Sequence, residues 1–111
     1  MSRICFVELP AKNIAETKTF YSQAFGWSLT DFGSAYSCTM TGDVDVGLQG
    51  DRTKATSSPL AVIAVDNLEQ AQAAVQKAGG RITKPTFSFP GGSRFHFQDP
   101  SGNELAVFKA G

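Results

Sequence analysis

FVELPAKNIAETKTFYSQAFGW, residues Phe6 to Trp27, holds a strand, a cap, a helix and a stop, and the rest of the chain can be read outward from it. Arg3 to Leu9 alternates and is rich in β-branched and aromatic residues, which predicts a strand ended by Pro10, whose ring lacks a ladder donor. Asn13 offers a side-chain oxygen to the free N–H groups of a helix start, and Glu16 stands three residues later in the capping-box position. Ile14, Thr17, Tyr21, Ala24 and Phe25 follow at helical spacing as one stripe, and Gly26 stops the helix.

Downstream, Ser28 to Phe32, Tyr36 to Met40 and Val44 to Gln49 read as three short strands of a meander, broken at Gly33-Ser34 and Gly42-Asp43. Gly50 to Ser58 (GDRTKATSS) is polar and aperiodic and reads as a linker. The pattern then restarts. Leu60 to Val65 is a strand, Asn67 a second cap, and Leu68, Ala71, Val75 and Ala78 a second stripe closed by Gly79-Gly80. Arg81 to Phe87, Arg94 to Gln98 and Glu104 to Phe108 are three more strands, separated by turns at Pro90-Gly91-Gly92 and Asp99-Pro100-Ser101-Gly102. A shift of 54 residues (67 minus 13) lays Asn13 on Asn67, Ile14 on Leu68, Ala24 on Ala78 and Gly26 on Gly80. The expectation is a single α+β domain over residues 1–111, built of two tandem βαβββ modules, residues 1–50 and 59–111, joined by a linker at 51–58.

Composition bounds the function. At 111 residues with 41% hydrophobic and 18% charged content, the chain has the material for one core and too little charge for a disordered polyelectrolyte. Lys plus Arg, 10, equal Asp plus Glu, 10, so no net field gathers nucleic acid or anionic membrane, and neither is an expected partner. No run approaches the ~20 apolar residues of a membrane span, and the N-terminus enters a strand pattern without an apolar leader, so the expected location is cytoplasmic. Cys5 and Cys38 lie in strand-like segments outside any CxxC or Cys/His cluster and read as buried free thiols. GxGxxG and P-loop patterns are absent from the sequence, which leaves nucleotide binding without support.

The duplicated order, the stretch Phe6 to Trp27 and FHFQDPSGNELAVF (Phe95 to Phe108) together resemble the vicinal oxygen chelate superfamily of glyoxalases, bleomycin-resistance proteins and extradiol dioxygenases. The resemblance covers essentially the whole chain. It implies a curved mixed sheet around a cleft, a homodimer and, in the enzymes, a divalent metal held by one ligand from the first and last strand of each module. Those positions fall here on Phe6, on its repeat mate Leu60, on Ala106 and between Val46 and Leu48, with Asp45 or Gln49 nearby. Phe6, Leu60 and Ala106 carry no donor atom, so the expectation is no metal and no cofactor. His96, the single histidine, lies on the penultimate strand, where the metal pattern requires none.

If Phe6 faces the cleft, alternation puts Ile4 and Glu8 beside it, while Cys5, Val7 and Leu9 turn to the helix. Leu60, Val62 and Ala64 follow by the repeat, as do Glu104, Ala106 and Phe108 on the last strand. The expected site is an apolar floor with aromatic walls from Tyr36, Phe95 or Phe97. Taken alone, Glu8 and Glu104 read as solvated rim charges, His96 as a strand histidine without an evident partner, Trp27 as a core or interface anchor, and Phe89 to Gly92 as a turn. The expected function is capture of a hydrophobic or cationic aromatic compound, with Phe6, Glu8, Tyr36, Leu60, Val62, Glu104, Ala106 and Phe108 as the ligand-binding residues and no catalytic residue assigned. Two alternatives stand beside it: a glyoxalase- or dioxygenase-type enzyme drawing donors from Glu8, Gln49, His96 and Glu104, and an interaction module whose cleft is filled by its own side chains.

Overall fold

The computed structural model describes residues 2–111; Met1, the first residue of the expected first module, lies outside the described residues. Its elements are β1 (Arg3–Pro10), α1 (Ile14–Phe25), β2 (Thr30–Asp31), β3 (Tyr36–Cys38), β4 (Asp45–Gln49), β5 (Leu60–Ala64), α2 (Leu68–Lys77), β6 (Arg81–Phe89), β7 (Gly92–Gln98) and β8 (Glu104–Ala110). The α+β class and the two βαβββ runs follow the sequence repeat. Two units pack separately: residues 6–60, and residues 61–111 together with 2–5 at the start of β1.

In the first unit β1 runs parallel to β4, and β4, β3 and β2 continue antiparallel, giving the order β2-β3-β4-β1. In the second, β5 runs parallel to β8, followed by β7 and β6, giving β5-β8-β7-β6. A parallel pair needs a long crossover, and here a helix plus a meander supplies it twice. Both helices begin on an extended asparagine whose side-chain oxygen accepts from the backbone three residues on: Asn13 from Glu16 N–H at 3.1 Å, and Asn67 from Gln70 N–H at 3.0 Å. Gly26 closes α1 in the left-handed region at φ 70°.

Several expectations change at the boundaries. The left-handed glycine after α2 is Gly79, one residue before the repeat mate of Gly26, because α2 has 10 residues against 12 in α1 and the cap Ala78 stands between it and the glycine. The expected strand Ser28 to Phe32 shrinks to Thr30–Asp31. That of Tyr36 to Met40 ends at Cys38, because the Asp45 carboxylate collects the Thr39 hydroxyl, both Thr41 donors and the Gly42 N–H, and this turns the chain before the ladder can extend. β6 runs on to Phe89, so Pro90-Gly91 alone links it to β7. The expected linker is ordered at its start, where Asp51 O accepts from Lys54 and Ala55 N–H and the Asp51 carboxylate from Thr53. Only part of the first stripe is covered. Ile14 and Tyr21 are half-buried, whereas Ala24 and Phe25 stay exposed. Among the described residues the buried apolar side chains are Ala11, Leu48 and Leu60 in the first unit and Val62, Phe95, Ala106 and Val107 in the second. Among the described residues no helix is long and apolar enough to cross a membrane, and both cysteines are free and half-buried.

Candidate functional site

On the first unit, pairing sets which side chains are neighbours. Phe6 lies opposite Asp45, Glu8 opposite Gly47, Cys38 opposite Gly47 and Tyr36 opposite Gln49, so these residues share one face of β1, β4 and β3. At Gly47 that face is closely packed. A Cβ there would collide with the Tyr36 hydroxyl and lie 2.5 Å from the tip of the Phe6 ring, so both rings occupy the space a side chain would need. Beneath them Glu8 is 2% exposed, and the Tyr36 hydroxyl donates to its carboxyl group at 3.3 Å. Glu8 is therefore part of the interior, not the solvated rim charge its place near a strand end suggests. Gln49 is buried with its side-chain oxygen taking the Asp51 N–H, and Cys38 is raised in pKa by burial and by nearby Asp45. Burial pushes the Asp45 carboxyl up, but the donors from Thr41, Thr39 and Gly42 outweigh it and hold the group at about 2.

On the second unit, Val62, Ala106, His96 and Lys84 form one row across β5, β8, β7 and β6. Arg94 pairs with Phe108 on one side and Phe87 on the other, adding a second row on the same face. His96 is fully buried. Its Nδ1 lies 3.0 Å from a Glu104 carboxyl oxygen, which the Thr83 hydroxyl also approaches at 3.4 Å. Burial lowers the His96 pKa below the ordinary histidine value, and Arg94 and Lys84 act in the same direction, against the Glu104 hydrogen bond. The expectation of a partnerless His96 is thus overturned, since hairpin register brings Glu104 diagonally beside it. The Phe87 ring lies 5.9 Å from the imidazole, the Arg94 guanidinium sits over Phe87 and Phe89 at 5.4 and 5.6 Å, and Phe89 contacts Phe108 at 5.7 Å.

The remaining expected residues divide. Leu60, Val62 and Ala106 are almost wholly covered and serve as core. Phe108 and Glu104 are half-buried on the face of His96. Phe95 and Phe97 alternate to the opposite face of β7 and form no wall beside His96; Phe87 and Phe89, which sequence reading left in a strand and a turn, stand there instead. Trp27 stacks on Tyr21 at 4.9 Å beside the end of α1.

The family model of the Glyoxalase/Bleomycin resistance protein/Dioxygenase superfamily matches residues 3–107. The chain belongs to this superfamily. Comparison with curated protein sequences finds no match. Among solved structures the chain is similar to one described as NAD-dependent benzaldehyde dehydrogenase from Legionella pneumophila (TM-score 0.76, 18% identity, 96% of this chain and 98% of that one). It is similar also to the Mn(II)-bound glyoxalase from Novosphingobium aromaticivorans (0.69, 20%, 98% of this chain, 40% of that one) and to methylmalonyl-CoA epimerase from Mycobacterium tuberculosis (0.74, 10%, 97% and 87%). At these identities the likeness is one of fold.

The superfamily's enzymes imply a metal, and the residues present here do not fit one. Phe6, Leu60 and Ala106 end in hydrocarbon, and the β4 position between Val46 and Leu48 is Gly47, which has no side chain. The flanking donors Asp45 and Gln49 are engaged by Thr39, Thr41, Gly42 and Asp51. Among the described residues no group of three or more His, Cys, Asp and Glu could hold a metal ion.

Proposed function

We propose that this superfamily member captures a hydrophobic or cationic aromatic small molecule without a metal or cofactor, and that Phe6 is the central contact. The observation that carries the reading is the packing of the Phe6 and Tyr36 rings onto Gly47, with the Glu8 carboxyl group beneath the Tyr36 hydroxyl. At a position that the resemblance assigns to a metal ligand, the chain presents a phenyl ring, which favours a flat apolar partner over a small oxygenated one. Glu8 supplies the acidic group for a cationic substituent beside Phe6, and Phe108 offers an apolar surface of its own on the second unit.

Burying a ligand against a phenyl ring contributes about 1.5–3 kcal/mol, so Phe6→Ala weakens binding by about tenfold or more. The test is a thermal-shift panel of planar aromatics, cationic drugs, quinones and thiol conjugates of ketoaldehydes, run on the wild type and on Phe6→Ala, with and without chelator. A planar or cationic compound that raises the melting temperature irrespective of chelator is the expected result. If none does and a thiol conjugate is turned over, the binding reading fails and the enzyme alternative replaces it.

The same proposal includes a cytoplasmic homodimer. Phe20, Phe25, Phe32 and Met40 are each more than half exposed, and a second copy covering such side chains needs roughly 800 Å² per partner for a stable interface. Light scattering at micromolar concentration is expected to report twice 11.8 kDa, and a species of 11.8 kDa alone refutes the dimer.

A further inference from the structure

We infer that His96 Nε2 is a ligand contact in its own right: it accepts a hydrogen bond from the hydroxyl of a phenol whose ring packs on Phe87 and whose anionic substituent faces Lys84. The contact is argued from the second unit alone and uses nothing of Phe6. Glu104 accepts through a carboxyl oxygen at 3.0 Å from Nδ1, which keeps the proton of a neutral imidazole on Nδ1 and leaves Nε2 a bare lone pair. That lone pair is buried and finds no hydrogen-bond partner among the described residues. Buried polar atoms are nearly always paired, so an orphan on a fully buried ring in the middle of a sheet face points to a group supplied from outside the chain.

What surrounds the atom defines that group. It must donate, because a neutral imidazole nitrogen of this tautomer only accepts. It must be flat and apolar, because the rings of Phe87, Phe89 and Phe108 lie in a chain beside His96. It must not be cationic, because Lys84 stands directly opposite His96 on β6, while the nearby acid, Glu104, is engaged by His96 and Thr83. A hydroxylated aromatic carboxylate satisfies all three conditions. Phe87 follows two register shifts in β6, between Ile82 and Lys84 and between Lys84 and Phe87, and it is 36% exposed, so a ligand ring can reach it.

The chain has a single histidine, so its imidazole nitrogen resonances are unambiguous. The experiment is ¹⁵N NMR of the labelled wild-type protein titrated with 4-hydroxybenzoate, 4-methoxybenzoate and tyramine, with affinities from calorimetry. The expected result is an Nδ1–H tautomer in the free protein and an Nε2 signal that moves with 4-hydroxybenzoate. 4-Methoxybenzoate, which lacks the donor, and tyramine, which reverses the charge, should bind at least tenfold more weakly. Phe87→Ala, a substitution at a partly exposed ring, should lower 4-hydroxybenzoate affinity severalfold while the protein stays folded. A proton on Nε2 in the free protein, an Nε2 signal unmoved by saturating 4-hydroxybenzoate, or equal binding of the hydroxy and methoxy compounds overturns the inference. Because the readout is this atom, its failure is distinct from failure of the Phe6→Ala panel.

Discussion

Replacing Gly47 by alanine probes the packing on which the Phe6 surface depends. The new Cβ would lie 2.5 and 2.9 Å from Phe6 ring carbons and would overlap the Tyr36 hydroxyl. Ordinary carbon contacts are ~3.5–4.0 Å, so the rings must retreat by about 1 Å on a strand held by neighbours on both sides. Overpacking of this kind costs roughly 1–3 kcal/mol, and pulling Tyr36 from the buried Glu8 adds about 1 kcal/mol, for a total of about 2–4 kcal/mol. For a chain of this size that lowers the melting temperature by roughly 8–16 °C. Urea unfolding followed by the fluorescence of the single tryptophan, Trp27, measures it. Tyr36→Phe removes the colliding oxygen, so Gly47→Ala should cost about 1 kcal/mol less in that background. A cost below about 0.5 kcal/mol, or the same cost in both backgrounds, would show that the rings do not lie on Gly47 as described.

Two further expectations concern pH. His96 has a folded-state pKa below its ordinary value of 6.5, chiefly through burial, so at mildly acidic pH the unfolded chain binds the proton and the folded one does not; stability is full above 6.5 and falls as pH drops below it. A melting temperature flat between pH 7.5 and 5.5 would contradict the burial of this ring. Asp45, held at about 2 against an ordinary 3.8, contributes stability above 3.8 that is lost as pH falls toward 2, so the deficit of Asp45→Ala relative to wild type should shrink over that window, as read by urea titrations.

Local chemistry was legible in the sequence. The caps Asn13 and Asn67, the stop at Gly26 and the turn at Asp99 to Gly102 each depend on residues a few positions apart, each marks a helix end or a turn in the structure, and the recurrence of the cap after 54 residues is read from identity alone. Strand boundaries were less so, because β3 ends where Asp45, six residues beyond Thr39, takes over the donors. The sites needed register. His96 and Glu104 meet because His96 pairs with Ala106 and Gln98 with Glu104, a diagonal that strand counting alone does not locate. Phe87 was missed because strict alternation places it on the face opposite Lys84, whereas the irregular pairing of β6 sets Lys84 against His96 and Phe87 against Arg94 on a shared face. Glu8 reads as a rim charge from its place near a strand end, and only the rings of Phe6 and Tyr36 over a glycine turn it into a buried group. The sequence alone thus determined the module order, the caps and the absence of donors at Phe6, Leu60 and Ala106, because side-chain chemistry and short spacings suffice for these. Which polar atoms are buried, and beside what, was decided by tertiary structure, because burial and strand register are properties of residues far apart in the chain.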